Sequence, residues 1–252
     1  MRNDQGGSIT AAMIAVMVAA VLQILTPLLP QLGIGEPIGA RSDAVRTLIT
    51  PAGWAFSIWG ALYAGSLAFA IWQLLPAQRG NRLLQRVRWP AAGAFFGNAI
   101  WAAHTQVYGL SAISVAIIAW TLVCLLVIYR AGSDVRLSAG ERWFVYLPLS
   151  ALTAWLTVAT TVNIAASLRF HGVEGGAAAA LIGATIVVVA GLIAAAALVR
   201  GRGNLPYAAV FLWALAAIYA AGGQVAGLIA AACAVAALLV VGGAFVGARR
   251  VR

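Results

Sequence analysis

The chain contains no lysine: all 16 of its basic residues are arginine. A retinal Schiff base needs a lysine amine and a P-loop needs its Gly-Lys pair, so a rhodopsin and a pump driven by its own P-loop ATPase are excluded. Acidic residues number only 6 and cysteines only 2. Cys124 and Cys233 both fall inside apolar runs, where a thiol serves as a small buried hydrophobe, so neither a disulfide framework nor a cysteine metal site is expected. Strand-like alternation of apolar and polar residues is missing too, which excludes a membrane barrel. The basic residues form no compact domain, so the formal charge of +10 does not point to nucleic acid.

What is present is apolar length. Of 252 residues 63% are hydrophobic and 9% charged, and the mean hydropathy is +0.96. Runs of roughly 20 apolar residues recur, each enough to cross a hydrocarbon core of about 30 Å. The expected fold is an all-α, polytopic membrane bundle of about eight helices. The spans are Ser8 to Leu29, Pro51 to Leu75, Pro90 to His104, Ser111 to Tyr129, Trp143 to Leu168, Ala177 to Val199, Leu205 to Ala221 and Gln224 to Val246. The first is longer than a signal-peptide core and ends in Pro27 and Pro30, which reads as a mature helix.

With eight crossings both termini share a side, and the arginines agree. Arg2, Arg79, Arg82, Arg86, Arg88, Arg130, Arg136, Arg142, Arg200, Arg202, Arg249, Arg250 and Arg252 fall on that side, 13 against 3 on the other, namely Arg41, Arg46 and Arg169. The positive-inside rule then places both termini in the cytoplasm, and the expected location is a bacterial inner membrane. On the opposite side the loop from Gln31 to Thr50 is long enough to act as a lid. Thr50 and Pro51 supply an N-cap and a first-turn proline, so a helix is expected to start there.

That helix opens with TPAGWAFSIWGALY, residues 50 to 63. Phe56, Trp59 and Tyr63 are spaced i, i+3, i+7 on one face, with Trp54 turned off it towards headgroups or the loop. Tyr63 lies too deep for an interfacial belt, so the rings face the bundle interior, as packing or as a ligand wall. In the third span Asn98, Trp101 and Thr105 share a face; a buried asparagine serves an interhelical hydrogen bond or a ligand. His104 is an interfacial residue or a ligand contact. The fifth span carries Trp155, Ala159 and Asn163 at i, i+4, i+8, and its threonines 157, 160 and 161 suit bonds to the preceding turn's carbonyls. All three rows fall in the half of the bundle beneath the long loop, which suggests a roofed pocket.

At these stretches the chain resembles the tryptophan-rich sensory protein family, TspO, the bacterial relatives of the mitochondrial translocator protein. The family patterns P-x-x-W-x-F-x-P-V-W-x-x-L-Y, L-N-x-x-W and W-V-T-F-A-T-x-L-N are matched by Pro51 with Trp59, Leu62 and Tyr63, by Asn98 with Trp101, and by Trp155, Thr157, Ala159, Thr160 and Asn163. Ser57 stands where the family has proline, and Ala103 stands where another proline follows the third-helix tryptophan. The resemblance implies a five-helix bundle, often dimeric, that binds porphyrins and other lipophilic planar molecules under the first loop. Trp59, Asn98, Trp101, Trp155, Ala159 and Asn163 would then line the pocket, with Trp59 and Trp155 as opposite walls. No cofactor is required, although a bound porphyrin or haem is compatible.

The motifs end near His171. Residues 1–171 are therefore expected to be the TspO-like bundle and residues 172–252 three further helices, rich in small residues and free of charge within their spans. The expected function is a receptor or carrier for a lipophilic planar ligand, with Phe56, Tyr63 and His104 beside the family residues and Arg41, Arg46 and Arg169 on the rim to meet acidic substituents. Two alternatives are an enzyme that degrades a bound tetrapyrrole and a transporter of a neutral lipophile. The expected partners are the bilayer, a small molecule and a second copy of the chain. No metal centre is assigned, although His104, His171 and Glu174 share the loop side.

Overall fold

A computed structural model describes residues 9–133 and 135–250; Arg2, Ser8 and Arg252, used in the spans and the arginine tally above, lie outside them. Among the described residues there is no β-strand. The helices are α1 (Ala11–Leu25), α2 (Ile38–Ala44), α3 (Ile58–Trp72), α4 (Arg82–Tyr108), α5 (Ala112–Ser133), the single turn α6 (Ala139–Glu141), α7 (Leu147–Phe170), α8 (Ala179–Arg200), α9 (Leu205–Ile218) and α10 (Gly227–Arg249). Short 3-10 turns extend α1 to Leu32 and precede α3 from Gly53, and π turns precede α7 from Arg142 and follow α9 to Gly223.

Seven stretches are long and apolar enough to cross a membrane: Ala11–Leu32, Gly53–Trp72, Ala112–Ser133, Ala139–Phe170, Gly176–Arg200, Leu205–Gly223 and Gly227–Arg249. The eighth long helix is α4, with 27 residues. It is less apolar because Arg82, Arg86 and Arg88 occupy its first two turns, yet it packs lengthwise between α1 and α5. At 1.5 Å per residue it measures about 40 Å, enough to cross with them. The protein is thus a polytopic helical bundle and an integral membrane protein.

Two boundaries differ from the sequence expectation. The third span does not begin at Pro90; α4 runs straight through that proline from an Asn81 cap, whose side chain accepts the Leu83 and Leu84 N–H groups at 2.9 and 3.1 Å. Arg88 is therefore not a loop charge but 3% exposed. Its guanidinium donates to Gln73 Oε1 at 3.0 Å and to the carbonyls of Gln73 and Gln78 at 3.3 and 3.0 Å, which ties the C-cap of α3 to the 3-10 turn after it. The second difference is at Thr50. Its hydroxyl accepts the Thr47 N–H at 2.9 Å and closes the preceding turn, and regular helix begins only at Ile58.

The last three long helices pack through small residues, as their composition suggests. A Cβ on Gly191 would fall 2.7 Å from the Ala236 Cβ, and one on Gly243 would fall 2.7 Å from the Ala195 Cα, so α8 and α10 touch nearly backbone to backbone. They also join the rest of the bundle: α9 packs on α7, and the Ala52 N–H donates to the Ala217 carbonyl at 3.0 Å. Cys124 in α5 and Cys233 in α10 are both buried and free.

Candidate ligand cavity under the first loop

Phe56 lies in the 3-10 turn ahead of α3 and Trp59 in the first turn of α3, which packs on α7. Phe56 and Trp59 both touch the Trp155 ring edge to face, at centroid distances of 6.2 and 6.1 Å. These rings form one corner of a cavity. Trp101 of α4 and Leu110 of the α4–α5 turn add to the wall, and α7 contributes a stripe of Trp155, Val158, Ala159, Val162, Asn163 and Ala166. Ile38 and Ser42 of α2 form the roof together with Pro51, so the long loop does cover the cavity. Its free volume is about 50 Å³. Ligand pockets for drug-sized molecules measure about 300–1,000 Å³, so side chains and roof must part to admit one.

The wall is apolar but its few polar groups are not satisfied. Asn163 is 2% exposed; one atom of its amide lies 3.0 Å from the Ser114 hydroxyl, whose single proton also has the Ser111 carbonyl at 2.7 Å, and the other amide atom has no partner among the described residues. The indole N–H groups of Trp101 and Trp155 are likewise buried and unpartnered. Two unpartnered indole donors, one free amide atom of Asn163 and the Ser42 hydroxyl thus belong to the wall, which has no titratable side chain. A buried donor without an acceptor is costly, so the arrangement favours an occupant that presents acceptor atoms.

Of the residues singled out from sequence, Phe56, Trp59, Trp101, Trp155, Ala159 and Asn163 come together here. Tyr63 does not line the cavity: it lies beside the Trp59 ring, 5.1 Å between centroids, with its hydroxyl turned towards Asn98. Asn98 is also off the wall and donates to Gln23 Oε1 of α1 at 3.2 Å, an interhelical bond. His104 bonds the Ser111 hydroxyl at 2.9 Å and ties α4 to α5. Trp59 and Trp155 touch each other, so they form one corner rather than opposite walls, because α3 packs directly on α7.

None of the three rim arginines lines the cavity. Arg41 donates to the carbonyls of Gln106 and Val107, both at 3.1 Å, and lies 3.4 Å from Glu36; it caps the end of α4. Arg46 pairs with Asp43, and Arg169 lies 3.9 Å from Glu174. Both line a separate cleft of about 470 Å³ between the first loop, the end of α7 and the start of α8. Trp54 likewise meets a protein partner: its ring lies 4.8 Å from that of Trp213 of α9, whose indole donates to the Ala55 carbonyl at 3.3 Å. Thr157, Thr160 and Thr161 bond carbonyls three or four residues back, as their positions suggest.

Sequence reasoning missed the roof pair Ile38 and Ser42, and Ala214 of α9. Continuing the Trp155 row to 158, 162 and 166 would have found the α7 stripe; nothing local marks Ala214. His104 is engaged elsewhere and no arginine reaches the wall, so the cavity offers a haem neither an axial ligand nor a counter-charge for its propionates.

An integral membrane bundle with a small aromatic cavity under its longest loop is compatible with one class: polytopic ligand-binding or transport proteins. A family model described as TSPO-like protein matches residues 9–246, through all eight long helices, and the chain belongs to that family. No curated protein and no solved structure matches it.

Proposed function

We propose that the protein is a membrane receptor or carrier that takes a lipophilic planar molecule into this cavity, stacks it against Trp59, Trp101 and Trp155, and holds its acceptor atoms with indole and amide N–H groups. The two buried, unpartnered indole N–H groups of Trp101 and Trp155 carry this proposal. The wall bears no charge, which favours an uncharged ligand or an uncharged face of a tetrapyrrole whose acidic arms stay outside. Nothing on the wall favours the degradative alternative, since it has no general acid or base. The arginine-rich end of the bundle is assigned to the cytoplasm of a bacterial inner membrane, which puts the cavity in the outer half.

The test is a titration in the dark with protoporphyrin IX and with its uncharged dimethyl ester, followed by tryptophan quenching. Both should quench saturably, the ester at least as tightly as the free acid. Asn163→Leu should weaken the ester by roughly fivefold, the loss of about one hydrogen bond. Absence of saturable quenching by either compound, or free-acid binding that depends on Arg46 and Arg169, would remove the cavity as the site.

A further inference from the structure

At the end opposite the cavity, the last three long helices meet the connection between α5 and α7. A cleft of about 990 Å³ opens between the α5–α7 connection, the α8–α9 turn and the end of α10. Arg136 and Arg142 border it from one side and Arg202 and Arg250 from the other. All four are exposed. Among the described residues none of them has a carboxylate partner: the three ion pairs all involve Arg41, Arg46 and Arg169 at the other end. Of the acidic residues near them in sequence, Asp134 lies outside the described residues, and Glu141 is committed to the Asn81 amide at 3.0 Å and the Ser138 N–H at 2.7 Å.

Two further features separate this cleft from a set of arginines that merely orient the chain. Arg202 has φ 57°, the single non-glycine residue with positive φ among the described residues, and stands between Gly201 and Gly203 in the turn that ends α8. Glycine is the residue that such a helix end ordinarily takes, so an arginine is kept where its backbone is disfavoured. The rest of the cleft is amphipathic. Trp143, 68% exposed, and Leu147, 40% exposed, stand beside Arg142 at the start of a membrane span.

We propose that this cleft binds an anionic phospholipid of the adjoining leaflet, with its phosphate between the two pairs of arginines and its glycerol and upper acyl chain against Trp143 and Leu147. Guanidinium groups are suited to bidentate phosphate contact, and basic pockets between membrane helices recognise acidic headgroups. A soluble phosphate would match the arginines but leave the exposed apolar rim unused. The proposal holds whichever face of the membrane this end occupies and is independent of the ligand in the aromatic cavity.

The experiment is native mass spectrometry of the full chain in detergent with equimolar dioleoylphosphatidylglycerol and dioleoylphosphatidylcholine, repeated with added inorganic phosphate. One phosphatidylglycerol should be retained in preference to phosphatidylcholine. Arg142→Gln with Arg202→Gln should lower its affinity about thirtyfold, whereas Arg82→Gln with Arg86→Gln, an equal loss of exposed charge at the same end but outside the cleft, should leave it unchanged. Arg202→Gly alone should reduce retention while raising thermal stability, because it relieves the turn. Equal retention of the two lipids, an equal effect of both double variants, or full displacement by millimolar inorganic phosphate would overturn the proposal.

Discussion

Trp59, Trp155 and Phe56 meet edge to face, an arrangement that favours the contact of ring edge with ring face. Because Trp59 and Trp155 touch directly, they should be coupled even without ligand. Trp59→Leu and Trp155→Leu, measured by unfolding in mixed micelles, are expected to be non-additive by about 0.5–1.5 kcal/mol. Additive losses would place the rings' contribution in separate contacts. Arg88 is a different case, since its charge is buried and its bonds close the end of α3 and the 3-10 turn that follows it. Arg88→Leu strands those carbonyls and the Gln73 amide oxygen and should destabilise the fold by about 3 kcal/mol, although the residue lies far from the cavity. The sequence classed it as an orienting loop charge because a neighbouring proline looked like a helix start.

The first loop is the element on which entry to the cavity depends. It is held at both ends: the Glu36 N–H donates to the Gln106 carbonyl at 2.9 Å, and Leu48 lies so close to the π turn after α9 that a Cβ on Gly222 would sit 1.7 Å from its carbonyl oxygen. A side chain at Gly222 must therefore push the loop or the turn aside. Gly222→Ala is expected to loosen the roof, so that a reporter cysteine replacing the buried roof residue Ser42 reacts several times faster with a maleimide while ester binding weakens. Unchanged reactivity and affinity would show that the clamp does not hold the roof. Length and polarity made this loop recognisable as a lid, but its fastening uses a backbone approach that no residue pattern announces.

For the bundle as a unit, the cavity is not confined to the segment that carries the recognised motifs. Ala214 lines it, Ala217 accepts the Ala52 N–H, and Trp213 bonds the Ala55 carbonyl, so α9 supports the start of α3 from behind. A chain truncated after Gly172 is expected to insert but to lose saturable ester binding; full affinity in the truncated chain would make the last three helices dispensable to the site. Sidedness can be tested on the same molecule. Both native cysteines are buried, so Ala40→Cys and Gln85→Cys, at exposed positions, provide clean reporters. Labelling at 40 but not at 85 by an impermeant reagent on intact cells is expected; the reverse pattern would invert the bundle.

Hydropathy and arginine placement determine how many times this chain crosses a bilayer and which ends lie together, because lipid cannot hydrate a backbone or a guanidinium and only long apolar helices escape that cost. The same physics hides the interior. Lipid-facing and protein-facing positions are both apolar, so helices such as α10 show almost no polar face from which their inward side could be read. Motif spacing could bring Trp59, Trp101, Trp155 and Asn163 to one depth. It could not tell that Asn98 would be taken by Gln23, that Arg41 would cap α4, that Arg46 and Arg169 would face a different cleft, or that Ala214 from a distant segment would close the wall. Those outcomes depend on which polar groups find partners when the helices pack, a question settled by distances of a few ångströms between segments far apart in the chain.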